Sequence, residues 1–135
     1  MKKIHWDQSF SVGVAKLDEQ HKAILDMVNK LLADPKGDVH SETISEVLTK
    51  MMRYAIDHFE TEERLLAEHK FPEFSTHEEM HLSFRKKSVA LCLDTISQKD
   101  SVPEEILEYL KDWWTDHILK SDMKYRSFFQ EQGVT

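Results

Sequence analysis

Apolar residues recur every three or four positions in four stretches of the chain, near 18–33, 41–69, 75–98 and 102–131. That is the period of an α-helix with one buried face. The first stretch carries Ile24, Leu25, Val28, Leu31 and Leu32; the second carries Ile44, Val47, Leu48, Met51, Ala55, Phe59, Leu65 and Leu66. Met80, Phe84, Leu91 and Ile96 mark the third, and Ile106, Leu110, Trp113, Ile118 and Phe129 the fourth. Breakers fall between them: Pro35 and Gly37 in one gap, Pro72 in the next, Pro103 near the third. Ser75-Thr-His-Glu78 and Ser101-Val-Pro-Glu104 read as capping boxes, and Asp18 and Ser41 as caps of the first two helices. Phe10, Val12 and Val14 alternate around Gly13 with no partner strand, so residues 1–17 are expected to form an extended N-terminal arm. Four helices with short connections predict an all-α, up-down-up-down antiparallel four-helix bundle, one domain over residues 1–135.

In that topology the start of the first helix, the end of the second, the start of the third and the end of the fourth share one end of the bundle. The polar residues that interrupt the apolar stripes fall in those same halves: His21, His58 and Glu62, His77 and His81, His117 and Asp122. An imidazole or carboxylate facing a core is costly unless it is hydrogen-bonded, paired or bound to metal. His58/Glu62 and His77/His81 are four apart, so each pair projects side by side, about 6 Å along the axis. His117 and Asp122 are five apart, about 140° on an ideal helix. A π-type widening there would put Asp122, Tyr125 and Phe129 on the buried stripe in place of Ser121, Lys124 and Phe128. Five histidines and two carboxylates exceed what one ion takes, whereas two ions about 3.5–4 Å apart, bridged by carboxylates, would use them all. Imidazole with carboxylate suits iron. The single cysteine, Cys92, leaves no multi-thiolate zinc or iron–sulfur site.

Composition narrows the partners. The chain has 135 residues, with 18 Lys and Arg against 25 Asp and Glu, a net charge of −7. That balance argues against a nucleic-acid groove and against docking on an anionic bilayer. No apolar run approaches the roughly 20 residues of a membrane span. Lys2 and Lys3 are not followed by an apolar segment, so no secretory signal is expected and the cytoplasm is the expected location. With no second long apolar stripe evident, a monomer is expected.

The array His21, His58-x3-Glu62, His77-x3-His81, His117-x4-Asp122 resembles that of the hemerythrins, specifically the single-domain bacterial ones. The lead-in Trp6, Phe10, Val12-Gly13-Val14 and Asp18-Glu-Gln-His21 is similar to theirs as well, so the resemblance spans the chain. It implies reversible O2 binding, for storage, delivery or sensing, at two iron ions joined by an oxo or hydroxo bridge. Carried over position by position, it puts His77, His81 and His117 on one iron and His21 and His58 on the other, with Glu62 and Asp122 bridging both. Three imidazoles, two carboxylate oxygens and the bridge saturate the first iron. The second has one imidazole fewer and one position open to O2. Ile24, Phe59, Trp113, Trp114 and Ile118 form the implied pocket over that position, whose work is to keep water and acids out. The resemblance implies a binding protein, not an enzyme; the alternative is a di-iron oxidase or peroxidase, or a nitric-oxide-handling protein.

Two other motifs compete for the same residues. His77-Glu78-Glu79-Met80-His81 is a literal H-E-x-x-H, but a zinc peptidase would leave His21, His58, Glu62 and Asp122 unexplained. A ferritin-like site needs paired Glu-x-x-His motifs and two further glutamates; Glu78-x-x-His81 is one instance and Asp18-x-x-His21 a poor second. His5, His40 and His69 stand outside the array and are expected at the surface. Met51, Met52, Met80 and Cys92 read as core filler.

Overall fold

Each of the four apolar stretches folds as a helix in the computed structural model, which describes residues 3–34 and 38–135. The turn expected at Pro35 and Gly37 lies outside the described residues. The helices are α1 (Ala15–Ala33), α2 (Glu42–Glu68), α3 (Phe74–Ile96) and a fourth rod made of four pieces. That rod runs through α4 (Val102–Asp112), a π-helical stretch Trp113–Ser121, a 3-10 turn Asp122–Tyr125 and α5 (Arg126–Glu131). α1 packs on α2, α2 on α3, α3 on α4 and α4 back on α1, which closes the antiparallel four-helix bundle. No strand occurs among the described residues, and none of their helices is long and apolar enough to cross a membrane.

Helix starts follow the expected chemistry at one end and depart from it at three. Ser41 caps α2, its hydroxyl accepting from the Ile44 N–H at 3.3 Å. Asp18 does not cap α1, which begins three residues earlier behind Val14. Its carboxylate reaches back instead, accepting from the Val12 N–H at 2.8 Å and from the Ser11 hydroxyl. Neither capping box forms. Ser75 lies inside α3, which starts at Phe74 behind Glu73. Ser101 precedes α4, but its hydroxyl meets Glu105 at 3.2 Å, and Pro103 in the first turn supplies the fixed φ.

The N-terminal arm is present and shorter than 1–17, since residues 15–17 are helical. It holds one 3-10 turn, Gln8–Phe10. Asn29 clamps its far end, accepting from the Ile4 N–H at 2.9 Å and donating to the Ile4 carbonyl at 2.8 Å. Gly13, at φ 81, bends the chain between the buried Val12 and Val14.

The core is in two parts. A large apolar cluster runs from Ile24 and Phe59 through Leu91 and Ile106 to Ile118. A smaller one, with Leu17, Leu66, Phe71, Tyr125 and Phe129, plugs one end of the bundle. Several expected core positions lie elsewhere. Ile96 is 76% exposed and Met52 44%, Met80 and Cys92 are half-buried, and the Cys92 thiol meets the Met52 sulfur at 3.7 Å. With Ile56, Leu82, Val89 and Leu93 also exposed, the outer face of α2 and α3 carries a second apolar stripe. α3 is apolar on two sides, and spacing alone could not say which side faces the core.

Candidate metal centre

The gap between the two apolar clusters is filled by polar side chains. His21 lies on α1 between Leu17 and Ile24; His58 and Glu62 lie on α2 between Ala55 and Leu66. His77 and His81 come from α3, His117 from the π-helical stretch and Asp122 from the 3-10 turn. His21, Glu62, His81 and Asp122 are completely buried, and His58, His77 and His117 are at most 5% exposed. The π stretch aligns the last pair. The Asp122 N–H donates to the His117 carbonyl, a bond spanning five residues, so the turn widens enough for both side chains to face inward. Asp122, Tyr125 and Phe129 are consequently buried, while Lys124 is exposed.

Two donor groups result, each with its ligand atoms within 4.8 Å of one another: Glu62, His77, His81 and His117 in one, His21, His58, Glu62 and Asp122 in the other. The carboxylates span both. Glu62 turns Oε1 towards His77 and His81, at 3.2 Å each, and Oε2 towards His58 at 2.9 Å and His21 at 3.6 Å. Asp122 turns Oδ1 towards His77 at 2.6 Å and His117 at 3.0 Å, and Oδ2 towards His21 at 3.0 Å. Each carboxylate therefore offers one oxygen to the three-histidine half and one to the two-histidine half.

Charge and hydrogen bonding both leave room for cations. Burial pushes the Glu62 carboxyl up, but His58, His21 and His77 outweigh it and hold it well below the usual carboxylate range. Burial and the neighbouring Glu62 push Asp122 the same way, and His117 and His21 reverse that too. Burial opposes a charge on His21 and His77, yet Asp122 and Glu62 lift them to about 9 and about 10. Burial wins at His58, whose pKa is pushed down. Both nitrogens of His21 and His81, Nε2 of His58 and His117, Oε1 of Glu62 and Oδ2 of Asp122 are buried without a hydrogen-bond partner. Folded proteins rarely strand so many polar atoms in one place. Lone pairs converging from imidazole and carboxylate, with no thiolate, fit a pair of borderline divalent cations such as iron.

A family model described as the hemerythrin HHE cation binding domain matches residues 12–128. The chain belongs to the hemerythrin family. A hemerythrin-like protein of Naegleria gruberi is 32% identical over 122 residues, covering 90% of each chain. A myohemerythrin of Theromyzon tessulatum is 30% identical over 122 residues, 90% of this chain and 89% of the relative. A bacteriohemerythrin of Methylococcus capsulatus is 30% identical over 120 residues, 86% of this chain and 88% of the relative.

In this chain the rings around the cluster are packed one against another. Phe59 stacks on His81 (3.8 Å, 5°) and Trp113 on His117 (3.8 Å, 11°). Two of the five expected pocket residues thus lie directly on rings of the three-histidine half. Ile24 and Ile118 are completely buried. Trp114 is buried too, with its ring against Trp6 and Phe10 of the arm at 6.3 and 5.3 Å. Glu78 is exposed, so the H-E-x-x-H reading lacks its base.

Four further residues complete the site. The Gln20 carbonyl accepts from His58 Nδ1–H at 2.7 Å, and its amide N–H donates to the Thr61 hydroxyl at 3.3 Å. The Tyr125 hydroxyl donates to Glu62 Oε2 at 2.8 Å. Tyr54 stacks on His58 (4.6 Å, 21°) and accepts from the Trp113 indole N–H at 3.4 Å. Glu63 lies 3.7 Å from His81 Nδ1 and is held by Arg85 at 3.3 Å. Tyr125 carried a signal, three residues beyond Asp122 on the same stripe. The pairing of Gln20 with His58 spans two helices and has none.

Proposed function

We propose that this chain binds O2 reversibly at two iron ions, acting as an oxygen store, carrier or sensor and not as a turnover enzyme. His77, His81 and His117 hold one ion, His21 and His58 the other, and Glu62 and Asp122 bridge them. The observation that carries this reading is the split of each carboxylate, one oxygen to each half. The protein's donors then number five on one side and four on the other. With a shared oxo or hydroxo bridge the two-histidine side would have one donor fewer than the other, and a small ligand would enter there.

When bound, the iron pair supplies one electron per ion to a ligand and accepts both back on its release. The chain's residues make that exchange reversible. Gln20 accepts a hydrogen bond from the Nδ1–H of His58, which leaves the Nε2 lone pair facing the site. Tyr125 orients Glu62. Phe59 and Trp113 fix the planes of His81 and His117. Ile24, Phe59, Trp113, Trp114 and Ile118 keep the inner wall apolar, so water and proton donors that would divert a reduced ligand are excluded.

Anaerobic loading with ferrous iron followed by air tests the function. The expected result is an intense visible band that disappears when O2 is removed and returns on repeated cycles. Steady consumption of O2 without a persistent band would instead indicate an oxidase, and a colourless protein would refute O2 binding at iron.

A further inference from the structure

The cluster is sealed on its apolar side. The five wall residues are at most 7% exposed, and the arm lays Trp6 and Phe10 over Trp114. A cleft of about 630 Å³ opens to solvent between α1 and α2, and its floor includes Gln20, Tyr54, His58 and Thr61. His58 is one of the two histidines on the side that is a donor short.

We propose that small uncharged ligands reach the two-histidine half through this α1/α2 cleft, with the Gln20 side-chain amide as the gate. The inference rests on the reading of that half as the ligand-binding one. The mouth carries Lys16, Lys50, Arg53 and Arg64 against Glu19, Asp26, Asp57 and Glu60, four charges of each sign, so no net field draws anions in. What passes is selected by size. Ala23, one turn along α1 from Gln20, lines the cleft with only a methyl group. The floor itself is shut, because Gln20 bridges His58 and Thr61 and leaves His58 only 1% exposed. Opening requires a side-chain rotation that breaks two neutral hydrogen bonds and leaves the backbone in place. Thr61 stays anchored meanwhile, since its hydroxyl donates to the Asp57 carbonyl at 2.8 Å. A gate of this strength keeps bulk water out most of the time and still opens often enough for exchange.

The test uses the iron-loaded full chain, with O2 as the probe. Rapid-mixing rates of O2 uptake and release are measured alongside solvent exchange of the iron-shifted His58 Nδ1–H resonance by NMR. Gln20→Ala removes the gate and is expected to raise release and N–H exchange on the order of tenfold, the worth of about one to two neutral hydrogen bonds. Ala23→Phe fills the passage and is expected to lower uptake, release and N–H exchange together, with iron content unchanged. Ala23→Leu replaces it if the larger side chain costs folding. Rates and N–H exchange that match the wild type in the plugged variant would overturn the route. If the wild type takes up no O2 at all, the functional reading fails. The N–H exchange, which needs no O2, then still decides the gate: slower exchange in the plugged variant supports it and unchanged exchange overturns it.

Discussion

Tyr125 donates to Glu62 Oε2 at 2.8 Å from a fully buried hydroxyl. Tyr125→Phe is therefore expected to weaken iron binding by about 10–100-fold, the usual effect of losing a ligand's supporting hydrogen bond. It should also cost about 1–3 kcal/mol of stability, because a buried carboxylate oxygen loses a hydrogen bond. Iron titration and urea denaturation read the two effects. Ile118→Ala makes a different test. It opens a cavity in the apolar wall, costs about 2–5 kcal/mol, keeps both irons and speeds oxidation of the reduced protein in air. Equal oxidation rates in variant and wild type would remove the protective role of that wall. At this scale the seven polar positions of the cluster were legible because each interrupts an apolar stripe in the half of a helix that the topology gathers. Their partners Gln20, Tyr54 and Glu63 were not, because each acts on a ring supplied by its fit to another side chain, and helical spacing carries no record of that.

The fourth rod shows how an element can be bent to a site. A regular helix would point His117 and Asp122 about 140° apart, and the π stretch between Trp113 and Ser121 removes that divergence. Lys120 projects into solvent inside this stretch. Deleting it would leave His117 and Asp122 four apart, the spacing of a regular helix. The expected outcome is a higher melting temperature for the metal-free protein, as the widened turn is lost, together with weaker iron binding as Asp122 shifts along the axis. An unchanged melting temperature would mean that the widened turn stores no strain. The distortion could be read in advance, because Asp122, Tyr125 and Phe129 make a better apolar stripe than Ser121, Lys124 and Phe128. Helix starts were harder. Asp18 and Ser75 have the side chains of caps, yet Asp18 is engaged by the arm and Ser75 lies one residue inside α3, so tertiary packing overrides the local signal.

For the whole molecule, a polar cluster lies between two apolar ones, an arrangement in which metal binding would be coupled to folding. Chelating the iron should lower the melting temperature. At ligand concentrations about 100 times the dissociation constant, binding contributes about 2.7 kcal/mol, or on the order of 10 °C for a chain this size. Differential scanning calorimetry with and without chelator checks this, and equal melting temperatures would separate the cluster from stability. The proposed function rests on the inequality of the two halves, three imidazoles against two. Mössbauer spectroscopy of the reduced protein loaded with iron-57 tests that most directly. The account predicts two ferrous ions per chain in two distinct environments of equal weight, with only one of them changed by an added small ligand. A single ion per chain, or two ions that respond alike, would contradict it.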